Sequence, residues 1–452
     1  MTTPVTLPLW AFVLILLFAA VTFASHFLFP SVRWFFRRRA QRVIAQLNER
    51  LPRPIEPFKL ARRYDTIQRL SYDPDVTEAI VEEAKVSGIP ENVAFQMAQR
   101  YAREIVPSFS ATAYFGFGTR AAKWLARSLY KIRGGQIDGD ALSEIDPNAT
   151  VVFVMNHRSN MDYVLVTYLT SRASALSYAV GEWARVWPLS AVIRMMGGYF
   201  IRRRSRGQLY RRVLARYVQM ATDNGVTQAI YPEGRLSVSG RLGEPKLGLL
   251  SYIIGDFHEG EREVVFVPVA INYDRVLEDR VLMGAASAGE RRFAAPIGEI
   301  IGFWAKQFWL RIRGKFHRFG YAAVSFGAPV SLRASPKDPR ALGALLMSRI
   351  GDIVPMLPVP MVAQILRDGV PRGRGEIEAG MEALRRANST AYVHVPRGDL
   401  AYAVEVGLRM LCKRGMVSEE NGRFVAVPDQ AQAMDFYANS ISHLVAMDAA
   451  AQ

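Results

Sequence analysis

The chain of 452 residues has a single cysteine, Cys412, which excludes an intrachain disulfide framework and any zinc site built from several cysteines. Its six histidines are scattered and no two fall at a ligand spacing, so a metallohydrolase is disfavoured and no metal is expected. It also lacks internal repeats and any low-complexity linker long enough to mark independent modules. Acidic residues are missing from two places in particular. Between Arg33 and Arg63 ten basic residues face two acids, Glu49 and Glu56, and between Arg194 and Arg216 eight arginines face none. Each window carries +8, together the whole formal charge of +16, and the rest of the chain holds 39 basic and 39 acidic residues. What is plentiful is apolar surface: 50% of the residues are hydrophobic and 11% aromatic, enough for a large core and against a mostly disordered or fibrous chain.

The first basic window follows an apolar run. Residues 7–29 carry no charged side chain, and as a helix these 23 residues would span roughly 34 Å against a hydrocarbon core of about 30 Å. Thr22, Ser25 and His26 lie towards its end, and Trp10 and Trp34 sit where interfacial aromatics are expected. No basic residue precedes the run, as one would in a signal peptide, whereas Arg33, Arg37, Arg38, Arg39 and Arg42 follow it. The expectation is a single transmembrane anchor over 1–31, with the bulk of the chain on the cytoplasmic side of the cell inner membrane. Residues 32–130 then read as helical, 131–335 alternate β-branched runs with helical stretches as an α/β sheet region does, and 336–452 return to helices.

The chemistry-bearing residues concentrate in the α/β region. In TVVFVMNHRSNMDY a buried-type strand runs into His157 and Asp162, five residues apart. On a regular helix that spacing puts them about 140° apart, so they meet only if His157 sits in the strand-to-helix turn and Asp162 in the first helical turn. There the helix N-terminus disfavours imidazolium and keeps the ring a neutral base, while the carboxylate fixes its tautomer. A plain helix-capping turn is the alternative. Further on, GGYFIRRR brings Arg202 and Arg203, whose planar forks suit a phosphate, or else form a solvated basic face. Arg206, Arg211, Arg212 and Arg216 fit attraction to anionic lipid. YPEGRLSVSGRLGEPK offers a tight turn with Glu233 and Gly234, then Arg235, Ser237 and Lys246 as further contacts. In EVVFVPVAINY, Pro268 in mid-strand suggests an edge, a bulge or a channel wall.

Taken in this order and at these separations, the four blocks resemble the glycerolipid acyltransferases, most closely the bacterial membrane-bound glycerol-3-phosphate acyltransferases. His157 and Asp162 match the family's H-x-x-x-x-D, Arg202 and Arg203 its arginine pair, Glu233 and Gly234 its Glu-Gly, and Pro268 its fourth block; DFYANSISHLV near the end is similar to the C-terminal segment of the longer enzymes. The likeness covers residues 100–335 well and the ends loosely. One departure stands in the third block, where the family's usual Glu-Gly-x-Arg-Ser is Glu233-Gly234-Arg235-Leu236-Ser237. A one-residue shift at a turn can reverse which way a side chain points, which leaves Arg241 or Lys246 to compensate.

The resemblance implies a mixed central sheet flanked by helices, with 131–335 as the acyltransferase domain. It implies acyl transfer from acyl-CoA or acyl carrier protein to the sn-1 hydroxyl of glycerol 3-phosphate, giving lysophosphatidic acid, without a further cofactor. His157 would be the base and Asp162 its orienter, with Arg202, Arg203 and Glu233 holding the glycerol phosphate and Pro268 lining an acyl channel or serving structure. The partners implied are these substrates and a phospholipid bilayer, not nucleic acid. Aromatic and basic residues interleaved through 303–321 suggest a second contact with the headgroups. The rival within the family is 1-acylglycerol-3-phosphate acylation, yielding phosphatidic acid. A remoter one is a membrane-tethered module binding anionic lipid or nucleic acid, which would leave His157 and Asp162 without a purpose.

Overall fold

The computed structural model describes residues 8–202, 207–255, 257, 262–287, 309, 313, 318–388 and 391–445, with backbone alone at 20–37, 40 and 183. Two compact units result, Met1–Pro54 and Ile55–Gln452. The first contains one helix, Leu9–Arg50. The transmembrane span expected at 7–29 is not supported: among the described residues no helix is long and apolar enough to cross a membrane. Its described apolar side chains, Leu9 to Phe18, are exposed, but Leu7 and the side chains from Ala20 on lie outside the described residues.

The second unit opens with helices Arg63–Ser71, Pro74–Ser87 and Glu91–Ile105. The middle one is fixed by its ends. The Asp73 carboxylate accepts from the Asp75 N–H, Pro74 takes the first helical position, and Gly88 closes the helix at φ 64°. Val76, Ala79, Ile80 and Ala84 recur at helical spacing and are buried. Arg216, on the helix Gln208–Asp223, reaches back to pair with Asp73 at 2.8 Å, so it belongs to a structural ion pair and not to a lipid-facing surface.

An eight-stranded mixed sheet follows, built from β1 (Lys131–Ile137), β2 (Thr150–Met155), β3 (Ser177–Gly181), β4 (Gly198–Ile201), β5 (Gln228–Ile230), β6 (Val264–Tyr273), β7 (Tyr321–Phe326) and β8 (Val330–Ser331). The order is β1-β7-β6-β2-β5-β3-β4, with β8 beside β6. Strands β6, β2, β5, β3 and β4 are mutually parallel, and β7 runs antiparallel to β6. Parallel strands with helices over both faces must be apolar throughout, and β2 and β6 are buried along their whole length. The expectation of a mixed sheet flanked by helices is borne out. Helices dominate after residue 336, with a small sheet of β9 (Arg372–Gly373), β10 (Val417–Glu420) and β11 (Arg423–Ala426).

Pro268 departs from the expectation of an edge or bulge. It lies in β6, in the sheet interior, in register with Val154 of β2. On its other side β6 changes partner from β8, at Val265 and Phe266, to β7, from Val269. The Pro268 carbonyl accepts from Gly327, in the β7–β8 turn, at 2.9 Å. A residue's N–H and C=O point to the same side of a strand, so the donor that proline lacks would have faced this turn, where no ladder runs.

Asp73→Ala removes a helix cap and the nearer of the two carboxylates paired with Arg216, leaving Asp75 at 3.2 Å. A stability loss of about 1–2 kcal/mol is expected, read as a lower urea midpoint at unchanged slope.

Candidate active site

The carboxyl ends of β6, β2 and β5 lie side by side, and each is followed by a residue with chemistry: Tyr273 ends β6, His157 follows β2, and Glu233 follows β5. Ligands of parallel α/β sheets bind at this edge. His157 sits in the turn after β2 and Asp162 in the first turn of the helix Met161–Thr170, the geometry that the five-residue spacing required. His157 Nδ1 lies 3.0 Å from Asp162 Oδ2, and both side chains are buried. A carboxylate only accepts, so Nδ1 carries the proton and Nε2 keeps its lone pair. Nε2 makes no hydrogen bond among the described residues.

Asp162 gathers further donors. Its Oδ2 also accepts from the backbone N–H groups of Arg158 and Ser159, at 2.8 and 3.0 Å, and its Oδ1 from the Tyr273 hydroxyl at 2.6 Å. The two N–H groups belong to the turn between β2 and the helix, ahead of its N-cap Asn160. The imidazole is gripped as well: its ring stacks on Tyr231 at 4.1 Å between centroids and meets Tyr163 edge-on at 5.7 Å. Asn156, just before it, exchanges two hydrogen bonds with the Ile271 backbone, at 2.8 and 3.0 Å, and so ties the turn to β6.

Two glutamates brace the same turn. Glu233 accepts from the His157 N–H at 2.9 Å and the Gly243 N–H at 3.0 Å. Burial pushes its carboxyl up to about 7, against the pull of those two hydrogen bonds. Glu278, 121 residues from His157 by sequence number, accepts from the Ser159 hydroxyl at 2.7 Å and the Asn160 N–H at 3.2 Å. Burial holds it at about 7 too. Both oxygens of Glu233 accept from the backbone, so this residue positions the turn.

Residues 232–246 form a loop whose ends are pinned by a 2.7 Å bond from the Lys246 N–H to the Pro232 carbonyl. Gly234 turns there at φ 67°. The Ser237 N–H donates to the His157 carbonyl at 3.0 Å and its hydroxyl to Arg241 O at 2.7 Å, so Ser237 shapes the loop. At the shifted motif, Leu236 is buried while Arg235 is exposed. Arg235, Arg241 and Lys246 line a cavity of about 270 Å³ with Glu233 at its wall. A larger cavity, about 480 Å³, lies by the amino ends of β2 and β6, where Arg216 and Arg262 in its wall are paired with Asp73 and Glu56.

The second block is placed differently from the resemblance. Arg202 lies at the end of β4, three strands from β2 and hence roughly 14 Å along the sheet edge at ordinary strand spacing. Its guanidinium makes a two-pronged pair with buried Glu104, at 2.7 and 2.8 Å, and Arg185 shares that carboxylate at 2.6 Å. The pair raises Arg202 further above its ordinary value. Arg203 lies outside the described residues, as do Arg206 and most of 303–321.

Sequence reading missed Tyr273, Tyr231, Glu278, Glu104 and Arg158. Arg158 is inside the first motif and buried; it donates to the Gly240 carbonyl, lies 5.1 Å over the Phe436 ring, and has no partner for Nε and Nη2 among the described residues. The C-terminal segment DFYANSISHL seals this side. Phe436 O would collide with any Cβ on Gly240, Asn439 donates to Ser239 O at 3.0 Å, and Asn272 donates to the Ser440 hydroxyl at 3.2 Å.

Residues 138–272 match the family model described as Acyltransferase, and the resemblance of the four blocks is borne out. The chain is 28% identical over 422 residues to a protein of Shewanella loihica named glycerol-3-phosphate acyltransferase, covering 85% of this chain and 51% of that one. It is 26% identical over 451 residues to a Pseudomonas fluorescens protein of the same name, covering 91% of this chain and 52% of that one. It thus spans about half the length of the curated relatives it matches. Among solved structures, a 1-acyl-sn-glycerophosphate acyltransferase of Thermotoga maritima is similar over 61% of this chain and 91% of that one, at 18% identity and a TM-score of 0.33.

Two outcomes follow from the geometry. Asn156→Ala leaves the Ile271 N–H and C=O unpaired in the core and should cost about 2–4 kcal/mol, measured by urea unfolding. Glu233 and Glu278 have folded pKa values near 7, above the ordinary carboxyl value of 4.5. The folded state therefore binds more protons in that window, and stability is lost as pH rises from 4.5 towards 7. Glu278→Gln should flatten part of this slope in urea midpoints taken between those two pH values; an unchanged slope would contradict the assignment.

Proposed function

We propose that this chain moves a fatty acyl group from acyl-CoA or acyl carrier protein to the sn-1 hydroxyl of glycerol 3-phosphate, giving lysophosphatidic acid. The observation that carries this reading is the His157–Asp162 contact at 3.0 Å with Nε2 left bare, one turn from a loop whose exposed cations are Arg235, Arg241 and Lys246. The names of the Shewanella and Pseudomonas relatives support the acceptor.

In the mechanism, Nε2 takes the proton of the acceptor hydroxyl as its oxygen attacks the thioester carbon. Asp162 stabilises the imidazolium that forms, since its carboxylate already accepts from Nδ1. The tetrahedral intermediate then expels the thiolate, which takes the proton back from Nε2. No acyl-enzyme forms, and the side chains contribute a base and alignment. Of the cations expected to hold the phosphate, Arg202 is already tied to Glu104. The loop cations Arg235, Arg241 and Lys246 are the better seat, since none of them has an ion-pair partner among the described residues. The same reading places the protein at the inner membrane with its catalytic domain in the cytoplasm. The exposed apolar side chains Leu9–Phe18 support this, as do the arginines that follow from Arg33.

The test supplies an acyl thioester with either glycerol 3-phosphate or its 1-acyl derivative and follows which acceptor is consumed. Consumption of glycerol 3-phosphate is expected; exclusive use of the 1-acyl compound would transfer the assignment to the following acylation. His157→Ala should lower the rate by about 10²–10⁴-fold while the folded protein accumulates normally. Turnover close to wild type would remove His157 from the mechanism.

A further inference from the structure

Two acid-free stretches meet on the surface of the second unit. One runs from Thr112 to Leu129, through a π-helical turn (Thr112–Gly118) into the helix Thr119–Leu129; the other runs from Arg185 to Met195 and ends in the helix Leu189–Met195. The Ser110 N–H donates to Met195 O at 3.0 Å, and the Met196 side chain fills the space over Gly118, so the two are side by side. Both turn large apolar groups outward: Trp187 is 81% exposed, Phe117 70% and Trp124 61%, with Val186, Leu189, Val192 and Met195 exposed as well. Arg120, Trp124 and Arg127 share one helix face, with Lys123 beside them, and all three cations are exposed.

A folded surface does not ordinarily hold so much protruding apolar area in water. We propose that this face docks on an anionic lipid bilayer, Trp187, Leu189, Val192, Phe117 and Trp124 entering the headgroup layer while Arg120, Lys123 and Arg127 meet lipid phosphates. The separate protrusion of indole and aliphatic groups, flanked by cations with no acid between them, is the pattern of an interfacial surface. A protein partner would call for a flatter apolar centre within a polar rim. The position has a consequence. Trp187 and Leu189 follow β3, whose carboxyl end lies at the same sheet edge as His157 and Glu233, so docking here sets that edge against the membrane. The purpose rests on the proposed lipid product; the docking itself does not.

The full chain carrying Cys412→Ser and Val192→Cys, labelled with an environment-sensitive fluorophore, tests this directly. A second sample carries the label at Val370→Cys, an exposed position on another part of the unit. Vesicles of phosphatidylglycerol and phosphatidylethanolamine should shift the Val192 label to shorter wavelength and leave the Val370 label unmoved. The shift should shrink with Arg120→Ser, Lys123→Ser and Arg127→Ser combined, and with vesicles of phosphatidylcholine alone. That triple variant should keep its acyl-transfer rate in detergent micelles. The proposal is overturned if both labels respond alike, if the Val192 label answers only to an acidic acyl carrier protein, or if it answers to protein concentration without lipid. Absence of acyl transfer by the wild-type chain would instead remove the functional reading and leave the lipid response standing.

Discussion

The Asp162 carboxylate is the point to which the rest of the second unit is built. Two elements converge on it: the turn after β2 supplies two backbone N–H groups and the imidazole, and β6 supplies the Tyr273 hydroxyl from the neighbouring strand. A buried carboxylate without such partners would be expelled or neutralised. With them it becomes a fixed negative charge under one nitrogen of His157, which leaves the other nitrogen bare. The sheet is what makes this possible, because only adjacent parallel strands deliver Tyr273, His157 and Glu233 to one edge with a common direction.

Around that centre, polar groups divide into those that hold the site and those that remain available. Glu233, Glu278, Asn156 and Ser237 spend their hydrogen bonds on backbone and loop, which gives the turn its rigidity. Arg202 and Arg185 are spent on Glu104. Around the loop cavity the exposed cations Arg235, Arg241 and Lys246 face open space beside the carboxylate of Glu244. In the proposed reaction, the imidazole would meet the reacting hydroxyl of the acceptor and these exposed cations its anionic end.

Much of this was legible in the sequence because it is local. The five-residue spacing of His157 and Asp162 required a strand-to-helix turn, and the alternation of β-branched runs with helical stretches required a mixed or parallel sheet. The shift of the arginine in the third block was visible too, but not which neighbour turns inward; Leu236 is buried and Arg235 exposed. What sequence could not give is what depends on distant pairing. Tyr273 lies 111 positions from Asp162, and Glu104 lies 98 from Arg202. Nothing in GGYFIRRR announces that its first arginine already has a buried partner. Pro268 misled for a related reason: a proline in an interior strand is tolerated only because β6 changes neighbours there, a fact of topology. Arg158 carried a signal that went unread, a basic residue inside a motif flanked by buried positions.

The central claim is a tautomer, and nitrogen-15 NMR of the histidine side chains reads it directly. At neutral pH His157 should show a protonated Nδ1 and an unprotonated Nε2, and Asp162→Asn should abolish that preference while the backbone spectrum stays folded. A proton on Nε2 in the wild-type chain, or a spectrum indifferent to Asp162→Asn, would contradict the account.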